Sequence, residues 1–268
     1  MSESEQFALT ARKLALEMVH RINASHIGGA LSMADLLAVL YNGVLNIRPG
    51  EPGWTGRDRF ILSKGHCCSI VYATLAMRGF FPLAELETFG RDGSRLMTHI
   101  SHKVPGVEFS TGSLGHGLPF ACGKALSGKR RKEAWRVFAM VSDGELDEGS
   151  NWEAILFAPH HRLDNLTLIV DYNKIQSLGG VSEVMELEPL ADKFRAFRWS
   201  VREIDGHDHE AIRAALSGGA WEEGKPNCLI AHTIKGKGVD FMENQLAWHY
   251  RSPNEDLLEQ AIDCLEKP

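Results

Sequence analysis

Apolar side chains recur at helical spacing in the first part of the chain. Residues 5–22 contain no proline or glycine, which predicts one helix over this span. Its apolar positions include Phe7, Leu9, Leu14, Leu16, Met18 and Val19. A second helix is predicted to follow Ser32, because Asp35 would then occupy the third helical position of a capping-box variant.

Short apolar runs alternate with helical patterns along the rest of the chain. The predicted strands span residues 59–62, 137–141, 166–171, 199–204 and 228–232. The predicted helices span residues 66–77, 118–126, 151–161, 209–216 and 254–265. Continuous apolar strands separated by helices predict the α/β class, with a parallel sheet covered by helices on both faces. No interior linker or repeat interrupts the pattern, so we expect a single domain over residues 1–268.

Residues 79–117 break the alternation with a high density of glycine and proline. The span contains Gly79, Pro82, Gly90, Gly93, Pro105, Gly106, Gly112, Gly115 and Gly117. Long irregular segments inside compact domains are usually functional. We therefore expect this segment to contribute to a binding site.

The charge and the apolar content exclude several classes of partner. Lys and Arg number 29 against 35 Asp and Glu, and the resulting net charge of −6 argues against nucleic-acid binding. No apolar run approaches the ~18 residues that a membrane span needs. The first residues lack the basic-then-apolar order of an export signal, which favours a cytoplasmic location.

The five cysteines predict reduced, mostly buried thiols. Their number is odd and none forms a CxxC pair, so neither a disulfide framework nor a zinc site is indicated. His99 and His102 have the spacing of a metal pair, but no further cysteine or histidine completes the set.

Polar residues follow two of the predicted strands at the point where each strand ends. Asp143 and Gly144 come after the strand at 137–141, and Asn173 comes after the strand at 166–171. Carboxyl ends of parallel strands are where open α/β sheets bind ligands. Carboxylate and amide oxygens suit Mg²⁺, which leaves room for phosphate oxygens. Gly144 would let a diphosphate approach the backbone closely.

This arrangement resembles the thiamine-diphosphate signature, a Gly-Asp-Gly followed about thirty residues later by Asn. Ser142 stands where the signature has its first glycine. Further segments resemble transketolases, in the same order along the chain; they are residues 25–26, 63–66, 105–108, 110–117 and 143–149. Residues 233–238 and 241–244 resemble the form found when a transketolase is split into two chains. The resemblance runs from about residue 10 to residue 253 and implies the diphosphate-binding type of α/β domain.

The resemblance implies a metal site and a cofactor site. The implied ligands of Mg²⁺, or of another divalent cation such as Ca²⁺ or Mn²⁺, are Asp143, Asn173 and the carbonyl of Ile175. The implied thiamine-diphosphate contacts are His66, Gly112, Ser113, Leu114, Gly144, Glu145, Asn173 and Ile175.

Catalytic residues are implied in the same way. His26 and His99 match histidines of the substrate channel, with His102 as the competing candidate for the second position. Glu148 matches a carboxylate that links the two active sites of the dimer. The last channel histidine of the family falls at Leu246, and His249 matches the histidine of a following His-Gly pair.

The implied activity is the transfer of a two-carbon ketol unit from a ketose phosphate to an aldose. In this family the glutamate that activates the cofactor lies on a pyrimidine-binding domain, which these 268 residues lack. We therefore expect the pyrimidine-binding and C-terminal domains on a partner chain, a C-terminal transketolase subunit, in an α₂β₂ assembly. Alternatives are a subunit of another thiamine-diphosphate enzyme, such as a deoxyxylulose-phosphate synthase or a dehydrogenase component, and a non-catalytic scaffold.

An apolar cluster within residues 112–126 is a candidate interface for that partner. It comprises Leu114, Leu118, Phe120 and Ala121. Exposed apolar patches usually mark interfaces. A helix face buried inside the domain is the competing explanation.

Overall fold

Five strands form one fully parallel sheet. In the computed structural model, which describes residues 1–267, the strands are β1 (Arg59–Leu62), β2 (Val137–Ser142), β3 (Leu166–Tyr172), β4 (Ser200–Asp205) and β5 (Asn227–His232). Their order across the sheet is β1-β2-β3-β5-β4, and every neighbouring pair is parallel. The predicted parallel α/β sheet is confirmed, and its strand boundaries shift by no more than one residue.

Helices precede the first strand, connect the strands and follow the last strand. They are α1 (Glu3–Arg21), α2 (Ile27–Ser32), α3 (Ala34–Val39), α4 (Cys68–Met77), α5 (Gly117–Arg131), α6 (Gly149–His160), α7 (Val181–Val184), α8 (Leu190–Ala196), α9 (His209–Leu216) and α10 (Glu255–Glu266). Short 3₁₀ segments occupy Gly65–Cys67, Leu83–Thr88, Gly144–Asp147 and Leu246–His249. None of the helices in residues 1–267 has the length and hydropathy needed to cross a bilayer.

Both faces of the sheet are buried, because alternate strand residues point into two separate cores. Phe138 and Met140 of β2 pack with α1, α3, α4, α9 and α10 on one face. Val137, Ala139 and Val141 pack with α5, α6 and α8 on the other. This two-sided burial explains why β1, β2, β3 and β5 have mostly apolar sequences rather than alternating patterns, whereas the edge strand β4 is largely exposed.

The prediction that a helix starts directly after Ser32 is wrong about the first residue of that helix. Ser32 ends α2, and α3 begins two residues later at Ala34. The Ser32 hydroxyl donates to the carboxylate of Asp171 at 2.5 Å instead of capping a helix. Asp35 likewise serves a tertiary contact, because its carboxylate receives two hydrogen bonds from Arg12 of α1.

The middle of the chain agrees with the sequence prediction except in helix length. Residues 79–116 are irregular apart from Leu83–Thr88, as expected from their glycine and proline. Helix α5 extends to Arg131, five residues beyond the predicted end, so the basic run from Lys129 closes a helix. Helices α7 and α8 were not predicted.

Leu118 and Ala121 are buried in the domain's own core. The interface predicted at residues 112–126 is therefore wrong for these two residues, and the competing buried helix face holds for them. Leu114 and Phe120 are half-buried, and the Phe120 ring stacks on Phe109 with centroids 4.1 Å apart.

The turn after β1 generates a prediction about its glycine. A Cβ on Gly65 would overlap the carbonyl oxygen of Thr111, so Gly65→Ala should cost roughly 2–3 kcal/mol of unfolding free energy or more. Gly123, on the exposed side of α5, has no atom within 4 Å of the position that a Cβ would take. Gly123→Ala should therefore stabilise the chain by about 0.5–1 kcal/mol. Denaturant unfolding of both variants checks the pair, and equal effects would contradict this account of the turn.

Candidate active site

A pocket of about 230 Å³ lies at the carboxyl ends of β2 and β3. Such crevices form where polar turns follow parallel strands. The residues that line it are His26, Gly29, Lys64, His66, His99, Gly112, Leu114, Ser142, Asp143, Gly144, Asn173, Ile175, Gln176, Ser177, Lys235 and His249. The structure therefore brings together residues from widely separated stretches of the chain.

A buried ion pair forms the floor of this pocket. The Lys64 ammonium donates to the Asp171 carboxylate, and both side chains are almost completely buried. Asp171 also accepts hydrogen bonds from Ser32 and Thr233, each at 2.5 Å. Burial alone would raise the pKa of Asp171, but the charge and hydrogen bond of Lys64 outweigh it and lower that pKa. The floor is therefore an ionised pair with its lone pairs satisfied.

Three oxygen ligands expected for a metal face the same pocket. Asp143 accepts from the backbone N–H of Gly144 at 2.7 Å and of Lys174 at 2.6 Å. The Asn173 amide oxygen accepts from the N–H of Ile175 at 3.2 Å. Burial, followed by the charge of Asp171, raises the pKa of Asp143 to about 6. A divalent cation would favour the ionised form of this carboxylate.

The donor set fits a hard cation that also binds a phosphate. It offers one carboxylate, one amide oxygen and the carbonyl of Ile175, all lining the pocket. Within residues 1–267 no group of three or more His, Cys, Asp or Glu side chains is arranged to hold a metal. These oxygens alone do not complete six-fold coordination, so a Mg²⁺ ion here would take further oxygens from a ligand or from water.

Lys235 is a pocket residue that the sequence reasoning missed. Its ammonium donates to the Ile175 carbonyl at 2.9 Å and lies 3.3 Å from His249 Nδ1. The side chain is buried, and burial lowers its pKa. A buried cation beside the oxygen ligands suits an anionic ligand. Its position within the split-type segment at 233–238 was the available signal.

Four histidines line the same pocket. The His26 ring lies 5.0 Å from those of His66 and His249 and 6.0 Å from that of His99, between centroids. Burial is the main cause that lowers the pKa of each, to about 4 for His26 and about 3 for His249. It lowers the pKa of His66 well below its usual value and that of His99 in the same direction. The cluster is therefore neutral near pH 7.

Hydrogen bonding fixes the tautomer of His249. Lysine can only donate, so His249 Nδ1 accepts from Lys235 and the ring hydrogen sits on Nε2. The carbonyl of His249 also accepts from the backbone N–H of His26, which fixes the two rings side by side. Leu246, where the resemblance placed the last channel histidine, is 37% exposed and does not line the pocket. The structure places His249, not Leu246, among the pocket histidines.

The two candidates at residues 99 and 102 lie in different surroundings. His99 lines the pocket rim. His102 is exposed, does not line the pocket, and bonds Ser110 Oγ through both its backbone N–H and its ring. Of the two, the structure brings only His99 to the pocket, and they do not form a metal pair.

Other predicted site residues lie outside the pocket surface. In the loop before α5, Gly112 and Leu114 line the pocket, whereas Ser113 is exposed and does not. Glu145 is fully buried behind this loop, where its carboxylate accepts from Ser63 Oγ and from the N–H of Gly115. Burial raises the pKa of Glu145. The geometry gives Glu145 a supporting position rather than a ligand-facing one.

Glu148 also lies away from the pocket. It is exposed and immediately precedes α6, next to Gly115. Nothing in residues 1–267 brings its carboxylate to the histidines or to Asp143. Its position is that of a surface residue beside the loop that lines the pocket.

Comparison with known proteins points to one family. Residues 3–261 match the family described as transketolase, thiamine diphosphate binding domain. The 6-deoxy-6-sulfo-D-fructose transketolase subunit SqwG of a Clostridium species is 42% identical, over 96% of this chain and 94% of its own length. One of the apulose-4-phosphate transketolase subunits of Phocaeicola vulgatus is 40% identical, over 94% of this chain and 89% of its own length.

Solved transketolases share the fold. The enzyme from Leishmania mexicana superposes with a TM-score of 0.92 at 30% identity and matches all of this chain. The enzyme from Campylobacter jejuni superposes with a TM-score of 0.92 at 32% identity over 98% of this chain. The chain spans 42% of the length of each of these two proteins.

The histidine cluster predicts loss of stability in acid. The unfolded chain takes up a proton on each imidazole near pH ~6.5, whereas His26 and His249 of the folded chain do so only near pH 4 and pH 3. Their stabilising effect is therefore complete above pH 6.5 and is lost as the pH falls toward 4. Solvent screening keeps each effect below the ~1.4 kcal/mol per pH unit of a fully buried group.

Denaturant unfolding between pH 7.5 and pH 4.5 measures this loss. His26→Gln and His249→Gln should each reduce the fall in unfolding free energy, with His160→Gln, at an exposed position at the end of α6, as the control. An identical pH dependence in the wild type and both pocket variants would contradict the assignment.

Proposed function

Because the chain belongs to the transketolase family, through its thiamine-diphosphate-binding domain, we propose that it is the N-terminal subunit of a two-chain transketolase. The observation that carries the proposal is one pocket in which the oxygens of Asp143 and Asn173 face a cluster of neutral histidines across Lys235. The proposed activity is transfer of a two-carbon ketol unit from a ketose phosphate to an aldose acceptor. Residues 1–268 are proposed to form one diphosphate-binding domain.

The oxygen-rich half of the pocket is the proposed diphosphate and metal site. Asp143, Asn173 and the Ile175 carbonyl would hold Mg²⁺, or Ca²⁺ or Mn²⁺, whose charge offsets that of the diphosphate. Lys235 adds a buried positive charge, and Gly144 exposes backbone to the same space. When bound, thiamine diphosphate supplies the carbon nucleophile and the electron sink for breaking and forming a C–C bond beside a carbonyl.

The histidine-rich half is the proposed substrate side. Imidazoles whose pKa is lowered by burial are neutral at pH 7, so each can accept one hydrogen bond and donate another. His249 donates through Nε2, because Lys235 occupies its Nδ1. We assign His26, His99 and His249 to binding substrate hydroxyls and moving their protons. His66 is assigned to the diphosphate side, because Lys64 is its nearest charged neighbour in the sequence.

The substrate class is proposed as a ketose carrying an anionic group. Two related subunits are named for a sulfonated fructose and for apulose 4-phosphate. The oxygens, Lys235 and the histidines described above would surround the cofactor and the reacting end of such a sugar. The anionic end is expected to be held by the partner chain.

The partner is proposed as a C-terminal transketolase subunit that carries the pyrimidine-binding domain. Relatives named as transketolase subunits match this chain over 94% and 89% of their own length, which supports a subunit role for a chain of this extent. Ser113 and Glu148 are exposed beside the pocket loop, where a second chain could reach them. A two-fold symmetric α₂β₂ assembly in the cytoplasm is the proposed form.

The metal assignment can be tested by binding. Asp143→Asn and Asn173→Ala should each weaken Mg²⁺-dependent binding of thiamine diphosphate by about tenfold or more, because the first removes the negative charge of an oxygen ligand and the second removes an amide oxygen ligand. Asp147→Asn is the control, since that exposed carboxylate lies in the same turn but does not line the pocket. Calorimetric titration of the complex with its partner measures the affinity. Unchanged affinity in both pocket variants would remove these residues from the metal site.

The partnership can be tested by reconstitution. The purified chain should transfer no ketol unit alone, and addition of the partner subunit should produce transfer from a ketose donor. The Asp143→Asn chain mixed with the same partner serves as the control with weakened cofactor binding. Robust transfer by this chain alone, with mass spectrometry showing no second polypeptide, would overturn the proposed obligate partnership.

A further inference from the structure

A buried polar cluster lies behind the pocket, between α1, α3 and the turn after β4. At its centre is the Asp35 carboxylate. Each of its two oxygens accepts a hydrogen bond from one of the two terminal nitrogens of the Arg12 guanidinium. His207 Nδ1 lies 2.7 Å from Asp35 Oδ2, and His209 Nε2 lies 3.1 Å from Asp35 Oδ1. Arg12 balances the charge of Asp35, so the cluster needs no further ion.

The hydrogen bonds of His207 have a defined direction. The backbone N–H of Ile234 points to His207 Nε2 at a distance of 2.9 Å. An N–H can only donate, so Nε2 carries no hydrogen and Nδ1 does. Nδ1 therefore donates to Asp35. The ring is fixed at both nitrogens, in one tautomer and one orientation.

Ile234 immediately precedes the pocket residue Lys235. The backbone around Lys235 is fixed on its other side by two main-chain hydrogen bonds: the Lys235 carbonyl accepts from Asn244, and the N–H of Gly236 donates to Gly28, each at 2.9 Å. His207 is the side chain that bonds the main chain of Ile234. The His207 ring therefore links the main chain next to Lys235 to the carboxylate of Asp35 in α3.

The turn after β4 packs directly on the same segment. A Cβ on Gly206 would overlap the Thr233 methyl group, so the main chain at Gly206 touches the residue two places before Lys235. The N–H of Gly206 also donates to the His232 carbonyl at 2.8 Å. This close contact between the ends of β4 and β5 places His207 next to Ile234.

We propose that His207, oriented by Asp35, is a positioning residue that sets the place of the Lys235 ammonium in the cofactor pocket. This rests on the proposed function, because it takes Lys235 as a contact of the bound diphosphate. The reason is geometric. A buried ammonium is effective toward an anion only where its stem and main chain are held, and small displacements at such sites are costly. His207 holds the main chain at one end of that stem.

A double-mutant cycle on cofactor affinity tests the proposal. The complex with the partner subunit is titrated with thiamine diphosphate in excess Mg²⁺, for His207→Phe, Lys235→Met and the double variant. His207→Phe keeps a ring but removes both hydrogen bonds, and should weaken binding about tenfold. In the Lys235→Met background it should add no further loss, because the group it positions is gone.

A conservative variant and a surface variant serve as controls. His207→Gln keeps an acceptor near the position of Nε2 and should recover most of the lost affinity. His232→Phe replaces a histidine at the end of β5 whose ring lies against Tyr172 and whose Nε2 pairs with the exposed Glu203, and it should leave affinity unchanged. A packing role alone would be served at least as well by Phe as by Gln.

The outcomes separate this proposal from the function on which it rests. If Lys235→Met leaves thiamine-diphosphate affinity intact, Lys235 is not a cofactor contact and both assignments fall. If Lys235→Met weakens binding but His207→Phe is silent or fully additive with it, only the positioning role of His207 is overturned.

A measurement on the unsubstituted protein covers the case in which His207→Phe does not fold. Nitrogen-15 spectra of the imidazoles should show His207 with its hydrogen on Nδ1, and the Ile234 amide should exchange slowly with solvent. A hydrogen on Nε2, or rapid exchange at Ile234, would overturn the proposal without any variant.

Discussion

The pocket depends on one buried ion pair, Lys64 with Asp171. Taking two charges out of water is costly unless the remaining lone pairs and protons are satisfied. Here Ser32 and Thr233 complete the carboxylate, and Lys64 also donates to the Gly29 carbonyl at 3.1 Å. These groups come from the helix before the sheet, the turn after β1, and the ends of β3 and β5. The pair therefore holds four distant segments at one edge of the sheet.

Charge balance around this floor explains the division of the pocket into two halves. Burial disfavours the charged form of both Asp143 and Lys235. It therefore raises the pKa of the carboxyl group of Asp143 and lowers the pKa of the Lys235 ammonium. Both would gain from a bound cation and anion arriving together. The four histidines are held in their neutral form, because burial lowers the pKa of each, and nearby lysines lower it further for His26, His66 and His249. One half is thus suited to a metal diphosphate and the other to neutral hydroxyl groups.

Much of the fold was predictable because β1, β2, β3 and β5 are buried along almost their whole length and carry mostly apolar side chains, whereas the edge strand β4 is largely exposed. Asp143 and Asn173 were predictable because they follow such apolar strands directly. Local pattern could not reveal residues whose role is set by distant contacts. Serine is a residue type that often caps helices, but the Ser32 hydroxyl donates to Asp171, which lies 139 positions later.

Histidine positions near the C-terminus show the same limit. Leu246 and His249 lie in one short 3₁₀ segment, and spacing alone did not decide which of them faces the pocket. The hydrogen bond from the His26 N–H to the His249 carbonyl holds His249 beside the pocket residue His26. Local spacing could not reveal this bond, because it joins residues more than two hundred positions apart. Helix α8 was missed because its seven residues are too few for a clear period.

The sheet order has a consequence for how the protein acquires its pocket. In the order β1-β2-β3-β5-β4 the last strand to be synthesised inserts between two earlier ones, and Thr233 follows it directly. The floor of the pocket is thus closed by contacts of very large sequence separation, which form late and slowly in folding. A chain that has made only its first three strands holds no complete binding site. Ligand binding in this protein therefore requires the sheet to be folded as a whole, and the ordering of a single loop would not be enough.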